Sequence, residues 1–245
     1  MNKRDNSHIV DYGGKGDVII LLHGFVSASR YWKNLQPLLS IAGYRVITID
    51  LLGFGNADKP ANAEYTYEEH IAHINDAIEN LRLPNRFVLV GHSMGALLAA
   101  RYCILYKSKV QSLILLHPPL YIDREQVRKT LRNTGIFYRA LLDSRYRQSL
   151  WILLRTIGIV GEHSQTSREK TMQNIIERAE IFDDLLHVQI KTLLLVGSKD
   201  RKEYLANLST YSLPDQVTVM IESVAHHSPR KQPEMVRDNI IDFIQ

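Results

Sequence analysis

Residues 87–95 read Phe87-Val88-Leu89-Val90-Gly91-His92-Ser93-Met94-Gly95, and this stretch decides the fold of the chain. Four apolar residues, typical of a buried strand, run into Gly-x-Ser-x-Gly, and a helical pattern follows. A serine on so tight a strand-to-helix turn needs neighbours without side chains, which Gly91 and Gly95 provide. The order of strand, turn and helix predicts that Ser93 projects above a sheet as a nucleophile. It would stand at a helix N-terminus, which favours developing negative charge.

The composition limits the kind of protein this can be. With 245 residues, 45% of them hydrophobic and 23% charged, the chain is typical of one large globular domain. It has no apolar run of the roughly 18 residues that a membrane span needs, and its first residues lack the apolar core of a signal peptide. The formal net charge is +4, but Lys and Arg are scattered, which argues against a nucleic-acid partner. The single cysteine, Cys103, cannot form an internal disulfide, and we expect a cytoplasmic protein.

Apolar runs elsewhere in the chain predict further strands, at residues 8–12, 17–22, 44–50, 112–117, 192–197 and 217–221. Helical patterns separate most of these runs, and such alternation is typical of a mostly parallel sheet flanked by helices. From residue 120 to about residue 187 the pattern is helical only, without a strand-like run. The sequence therefore predicts an α/β core that is interrupted by a helical insertion.

Polar residues that can do chemistry follow the ends of the predicted strands. His23, Asp50, Ser93, Asp200 and His226 all stand at or just after such an end. In a parallel sheet these ends share one edge, which is where ligands bind. The helical insertion begins at the same edge, and we therefore expect it to cover the site as a lid.

A serine becomes a nucleophile when a base accepts its proton and a third group orients that base. Downstream of Ser93, Asp200 follows one predicted strand and His226 follows the last one. Asp123 is a second candidate for the acid, and His227, directly after His226, is a second candidate for the base. Residue types and order alone leave these alternatives open.

The chain resembles the α/β-hydrolase superfamily, of the single-domain kind that carries a lid. The resemblance covers nearly the whole length and implies Ser93 as nucleophile, Asp200 as acid and His226 as base. His226 keeps the family's spacing to Gln232-Pro233, which favours it over His227, although Ser223-Val224-Ala225 replaces the family's usual Gly-x-Gly. The motifs that carry the resemblance are His23-Gly24-Phe25, Asp50-Leu51-Leu52-Gly53-Phe54-Gly55, Gly91-His92-Ser93-Met94-Gly95, Val196-Gly197-Ser198-Lys199-Asp200, and His226 before Gln232-Pro233-Glu234.

The resemblance also implies an architecture. We expect an α/β fold with a mostly parallel sheet of approximately eight strands flanked by helices, and a helical cap inserted after strand six. The core would comprise residues 1–118 and 188–245, and the lid residues 119–187. An oxyanion hole is expected from the backbone N–H groups of Phe25, in the turn after the second strand, and of Met94, after the nucleophile.

Serine at the nucleophile position disfavours dehalogenase and epoxide hydrolase chemistry, because those members of the superfamily use an aspartate there. We predict a carboxylesterase that cleaves esters of small-to-medium apolar acyl chains through an acyl-enzyme. Within the lid, Trp151, Phe137 and Leu154 are candidates for contacting the acyl chain. No metal or organic cofactor is implied, since His70 and His73 lie three residues apart without a third ligand.

Other functions on the same fold stay open. One is hydrolysis of a carbon–carbon bond, and another is the pyruvate-eliminating synthase of the menaquinone pathway. The synthase is disfavoured because its family commonly has an arginine soon after the nucleophile, where this chain has Gly95-Ala96-Leu97. A non-catalytic ligand receptor on a hydrolase scaffold belongs to a different class. The expected partner is a small-molecule ester, bound by a monomer or weak homodimer.

Overall fold

A computed structural model describes residues 7–83, 86–133, 156 and 161–245. Within them one sheet of seven strands has the order β1-β3-β2-β4-β5-β6-β7. Strand β1 is antiparallel to β3, and all other neighbours are parallel. The strands are β1 (Ile9–Asp11), β2 (Val18–Leu22), β3 (Arg45–Ile49), β4 (Phe87–His92), β5 (Val110–Leu116), β6 (Thr192–Gly197) and β7 (Val217–Glu222).

This topology confirms the predicted fold class and adjusts the strand count. The expected number was approximately eight, and seven strands are present in the described part of the chain. Strand β1 is only three residues long and pairs with β3. It is the outermost of the described strands on that side of the sheet. In the described part of the chain, the helical segment after Leu116 therefore follows the fifth strand, β5, rather than a sixth.

Helices connect the strands on both sides of the sheet. Helix α2 begins after Thr66, whose side chain accepts the backbone N–H of Glu69 in a capping box.

None of the described helices combines the length and apolar character that crossing a bilayer requires. A 3₁₀ helix covers Ser29–Trp32 and a π-helical turn covers Met172–Ile176. The α-helices are α1 (Leu35–Ile41), α2 (Tyr67–Leu81), α3 (Met94–Leu105), α4 (Arg124–Asn133), α5 (Gln165–Thr171), α6 (Ile181–His187), α7 (Lys202–Leu208), α8 (Ser228–Lys231) and α9 (Pro233–Ile244).

The sheet is buried on both faces, which explains why its central strands are almost continuously apolar. On one face, Ile20 and Leu89 pack with side chains of α2, α3 and α6. On the other face, Ile19 and Val90 pack with Trp32 and with side chains of α1 and α9. The nucleophile turn lies between these layers, because β4 is a central strand and α3 packs directly against it.

The segment that returns from the insertion is fixed to the rest of the chain. The N–H of Gly161 donates to the carbonyl of Val26 (2.9 Å), and the N–H of Gly55 donates to the carbonyl of Glu162 (2.8 Å). Helix α6 buries Phe182 in the same apolar cluster as the sheet. The division into a core and a lid at residues 118 and 188 stays a prediction.

Candidate active site

Ser93 occupies a strained backbone position between β4 and α3. Its φ of 54° and ψ of −121° lie in a region that residues with side chains rarely adopt. An added Cβ on Gly91 would lie 2.3 Å from the carbonyl oxygen of Gly95, and one on Gly95 would lie 2.4 Å from that of Leu22. Only glycine therefore fits on either side of this turn, as the sequence pattern predicts.

The structure brings Asp200 and His226 to Ser93 from the ends of two neighbouring strands. Asp200 follows β6 and His226 follows β7, at the edge of the sheet where β4 ends. The Nδ1 atom of His226 lies 2.7 Å from Asp200 Oδ2, and its Nε2 atom lies 3.0 Å from Ser93 Oγ. Burial would raise the pKa of the Asp200 carboxyl, but the hydrogen bond and charge of His226 outweigh burial, so this pKa is lowered. Asp200 is therefore an anion that can orient the imidazole.

The alternative candidates, His227 for the base and Asp123 for the acid, contact other residues. The Nδ1 atom of His227 lies 3.3 Å from the hydroxyl of Tyr31. Asp123 Oδ1 accepts the backbone N–H of Gln126 (2.7 Å) at the start of α4. The residue between Ser93 and Asp200 is thus His226.

The loop after β2 lies directly against Ser93. An added Cβ on Gly24 would lie 3.2 Å from Ser93 Cβ. Phe25 is the next residue along the loop after this close contact. In the part of the chain that the structure describes, no turn, cap or side-chain hydrogen bond uses the N–H of Phe25 or Met94. Both donors predicted for the oxyanion hole are therefore free of these internal partners.

His23 braces this loop, as a structural histidine should. Its Nε2 atom accepts the N–H of Leu51 (3.0 Å), and its Nδ1 atom therefore carries the proton that is donated to the carbonyl of Gly24 (2.8 Å). Burial lowers the pKa of His23, which keeps the ring neutral. Asp50 has a similar bracing role, because its carboxylate accepts both the N–H and the hydroxyl of Ser29.

Two buried histidines that the sequence reasoning did not assign contact the turn that carries His226. His92 Nε2 donates to the carbonyl of His226 (2.8 Å), and His117 Nε2 lies 2.6 Å from Ser228 Oγ. Burial lowers the pKa of His92 well below its ordinary value and that of His117 to about 4, and the neighbouring imidazole of His226 is the second cause for both. Both rings are neutral at pH 7. The position of His92 beside Ser93 was visible in the sequence, but its partner was not.

The remaining predicted residues either lie outside the described part of the chain or contact residues away from Ser93. Trp151, Phe137 and Leu154 lie outside the described residues. His70 Nε2 contacts Thr171 Oγ1, whereas His73 Nε2 contacts the carbonyl of Asp50. Among the residues with a described position, no group of three or more His, Cys, Asp or Glu side chains could hold a metal ion.

Comparison with known proteins places this site in a family context. A family model described as alpha/beta hydrolase fold matches residues 17–138. The 2-hydroxy-6-oxo-6-(2'-aminophenyl)hexa-2,4-dienoic acid hydrolase of Metapseudomonas resinovorans is 30% identical over 213 residues, which cover 77% of this chain and 69% of that protein. A probable lysophospholipase of Arabidopsis thaliana, BODYGUARD 2, is 37% identical over 159 residues, or 59% of this chain. The match spans about a third (33%) of the length of that plant protein.

A solved structure extends the likeness beyond the matched segment. The crystal structure of a serine hydrolase involved in carbazole degradation superposes with a TM-score of 0.72 at 26% identity. The superposition covers 96% of this chain and 93% of the other. The similarity therefore includes the C-terminal strands that carry Asp200 and His226.

Proposed function

The chain belongs to the α/β-hydrolase family, and from this premise we propose that it is a serine hydrolase that cleaves carboxylic esters of small-to-medium apolar acids. The observation that carries the proposal is the continuous line of hydrogen bonds from Asp200 through His226 to Ser93, with separations of 2.7 Å and 3.0 Å. In this geometry the imidazole can take the proton from the serine hydroxyl while the carboxylate fixes the ring.

The proposed reaction has two halves. Ser93 Oγ attacks the acyl carbonyl as its proton moves to His226 Nε2, and the same proton then leaves with the alcohol. A water molecule, deprotonated by His226, attacks the acyl-enzyme and releases the acid, which restores the serine hydroxyl. Asp200 stays ionised throughout and stabilises the imidazolium, in keeping with its lowered pKa.

The negative charge that develops on the carbonyl oxygen is received by the N–H groups of Phe25 and Met94. Met94 is the first residue of α3, a helix of 12 residues whose N-terminus favours an anion. Each such donor contributes about 3 kcal/mol to the stability of the transition state. The closeness of Gly24 to Ser93 supports this assignment.

Residues 119–187 form the lid in this proposal. Trp151, Phe137 and Leu154, which lie outside the described residues, stay the candidates for contacting the acyl chain. The return of the segment to the core supports a lid over the site. Gly161 donates to the carbonyl of Val26, the residue next to Phe25, so this end of the segment lies on the loop that carries an oxyanion donor.

Two of the similar proteins favour different bonds as the target. The Arabidopsis relative is named a probable lysophospholipase, and a lysophospholipase cleaves a carboxylic ester, which supports the leading proposal. A 2-hydroxy-6-oxo dienoic acid contains no ester, so hydrolysis of such an acid breaks another bond. Cleavage of a carbon–carbon bond next to a ketone is therefore the second candidate, with the same nucleophile.

The test is a substrate panel run on the wild type and on Ser93→Ala. The panel contains p-nitrophenyl esters of two to twelve acyl carbons, the matching thioesters, a charged succinyl ester and a 2-hydroxy-6-oxo dienoic acid. We expect turnover of the apolar esters with an initial burst of p-nitrophenol. Ser93→Ala should lower kcat about a thousandfold or more.

The matched control is Ser108→Ala, which removes an exposed serine hydroxyl from a turn and should leave the rates unchanged. Turnover of the dienoic acid alone would favour the second candidate. Ser93→Ala activity within tenfold of wild type would refute the serine mechanism. No turnover and no burst with any substrate would favour a non-catalytic receptor.

A further inference from the structure

The sequence neighbours of Ser93 and His226 are both histidines, and one tyrosine hydroxyl contacts both of them. Tyr31 Oη lies 3.1 Å from His92 Nε2 and 3.3 Å from His227 Nδ1. The ring of Tyr31 stacks on that of His92, with 4.6 Å between centroids and 20° between planes. Tyr31 is only 6% exposed, so these contacts form away from bulk water.

The chemistry of the partners fixes the proton positions in this cluster. His92 Nε2 lies 2.8 Å from the carbonyl oxygen of His226, which can only accept, so Nε2 carries the proton. This one proton is shared between the carbonyl of His226 and Tyr31 Oη, so Oη accepts from His92 and donates its own proton to His227 Nδ1. Burial raises the pKa of Tyr31, which keeps the hydroxyl protonated, and burial lowers the pKa of His227 to about 4, which keeps its ring an acceptor.

The contacts of Tyr31 connect Ser93 and His226 by a second path, besides their own hydrogen bond. This path runs from Ser93 along the backbone to His92, through the hydroxyl of Tyr31 to His227, and along the backbone to His226. These groups come from three separate parts of the chain, namely the 3₁₀ helix after β2, the end of β4 and the turn after β7. The separation of Ser93 Oγ and His226 Nε2 therefore depends on how these parts are held together.

We propose that Tyr31 is a positioning residue, whose hydroxyl bridges His92 and His227 and thereby keeps His226 in hydrogen-bond reach of Ser93. The proposal rests on the proposed function of Ser93 and His226. Displacement of a base by about 1 Å is enough to lower the rate of proton transfer strongly. The turn has two further attachments, from His92 to the carbonyl of His226 and from His117 to Ser228. Loss of the bridge therefore loosens the turn without releasing it.

The test replaces Tyr31 by phenylalanine, which removes the hydroxyl and keeps the stacked ring. We expect kcat for a p-nitrophenyl ester to fall about tenfold, the scale of one buried neutral hydrogen bond, with KM unchanged within twofold. The second-order rate of inactivation by a fluorophosphonate should fall by the same factor, because that reaction needs Ser93 and His226 but no particular ester. Tyr65→Phe is the matched control, since Tyr65 is also fully buried and donates to the carbonyl of Pro60.

A double-mutant cycle separates the bridge from a general loss of stability. His227→Ala alone should show the same loss as Tyr31→Phe, and the double variant should be no worse than either single variant, because all three lack the same bridge. If Tyr31→Phe does not fold, the loss on His227→Ala carries the same information. The proposal is wrong if Tyr31→Phe keeps full kcat, if Tyr65→Phe loses as much, or if the two losses multiply. Ser93→Ala distinguishes the two proposals, because activity of that variant within tenfold of wild type would contradict the serine mechanism itself, whatever Tyr31→Phe does.

Discussion

His70 makes the stability of this protein depend on pH in a way that can be worked out from its surroundings. The ring is fully buried on α2, with Nε2 3.3 Å from Thr171 Oγ1. Among the described residues, its Nδ1 atom has no hydrogen-bond partner. Burial lowers the pKa of His70 from its ordinary 6.5 to about 3, with the neighbouring imidazoles of His73 and His23 as smaller causes. The folded protein therefore holds this ring neutral at pH values where the unfolded chain binds a proton.

The direction and size of the effect follow from proton linkage. As the pH falls from 6.5 towards 3, the unfolded state binds more protons than the folded state, so the free energy of unfolding decreases. With pKa values of 6.5 and about 3, His70 contributes a loss of roughly 2 kcal/mol between pH 7 and pH 5. His70→Leu cannot take up this proton. The gap in unfolding free energy between wild type and variant should therefore shift by about 2 kcal/mol in favour of the variant over that interval.

The assay is urea unfolding at pH 7 and pH 5 at constant ionic strength, followed by tryptophan fluorescence, since Trp32 is fully buried. Thr171→Val is the matched control, because it removes the hydrogen-bond partner of the ring but keeps the ionisable group. That variant should keep the wild-type dependence on pH. A shift below about 0.5 kcal/mol for His70→Leu would refute the reasoning, since it would mean that the buried ring takes up its proton without cost.

Two further predictions concern the site. Asp200→Asn should lower kcat for a p-nitrophenyl ester by about a thousandfold or more with little change in KM, because an amide does not stabilise the imidazolium of His226. A loss below tenfold in steady-state kinetics would show that this carboxylate is not the orienting group. Gly95→Ala should lower the free energy of unfolding by about 3 kcal/mol in urea titrations, because the new methyl would lie 2.4 Å from the carbonyl oxygens of Leu22 and His23. Gly43 has open space around it and a positive φ of 101°, so Gly43→Ala should lower the free energy of unfolding by only about 1 kcal/mol. Equal losses for the two variants would contradict the steric argument.

The local signals in this sequence were strong enough to predict most of the fold. The apolar runs of the central strands match strands that are buried on both faces, and such strands leave a pattern that needs no knowledge of their partners. The strand–turn–helix order around Ser93 is local in part. The collision that requires Gly91 is with Gly95 and Ala96, whereas the one that requires Gly95 is with the carbonyls of Leu22 and His23 at the end of the neighbouring strand. The short edge strand β1 was predicted as well, at residues 8–12, and the count of approximately eight came from the resemblance rather than from an apolar run.

Residue types alone did not identify the histidine that faces Ser93, although the family spacing to Gln232-Pro233 favoured His226. His226 and His227 are the same residue type at adjacent positions, so composition cannot distinguish them. In the fold, successive residues of the turn after β7 point to different neighbours, His226 towards Ser93 and Asp200, and His227 towards Tyr31. The bridge through Tyr31 has no sequence signal at all, because its ends are 61 and 196 residues away.

The sequence by itself thus determined an α/β sheet, a serine on a glycine-flanked turn, and an acid and a histidine in the right order at strand ends. Those features arise from backbone sterics and apolar periodicity, which act over a few residues. The family spacing favoured His226, but its 3.0 Å separation from the serine hydroxyl and the buried rings that contact its turn are known only from the tertiary structure. Hydrogen-bond distances between segments depend on how whole layers pack, and no short stretch of sequence contains that information.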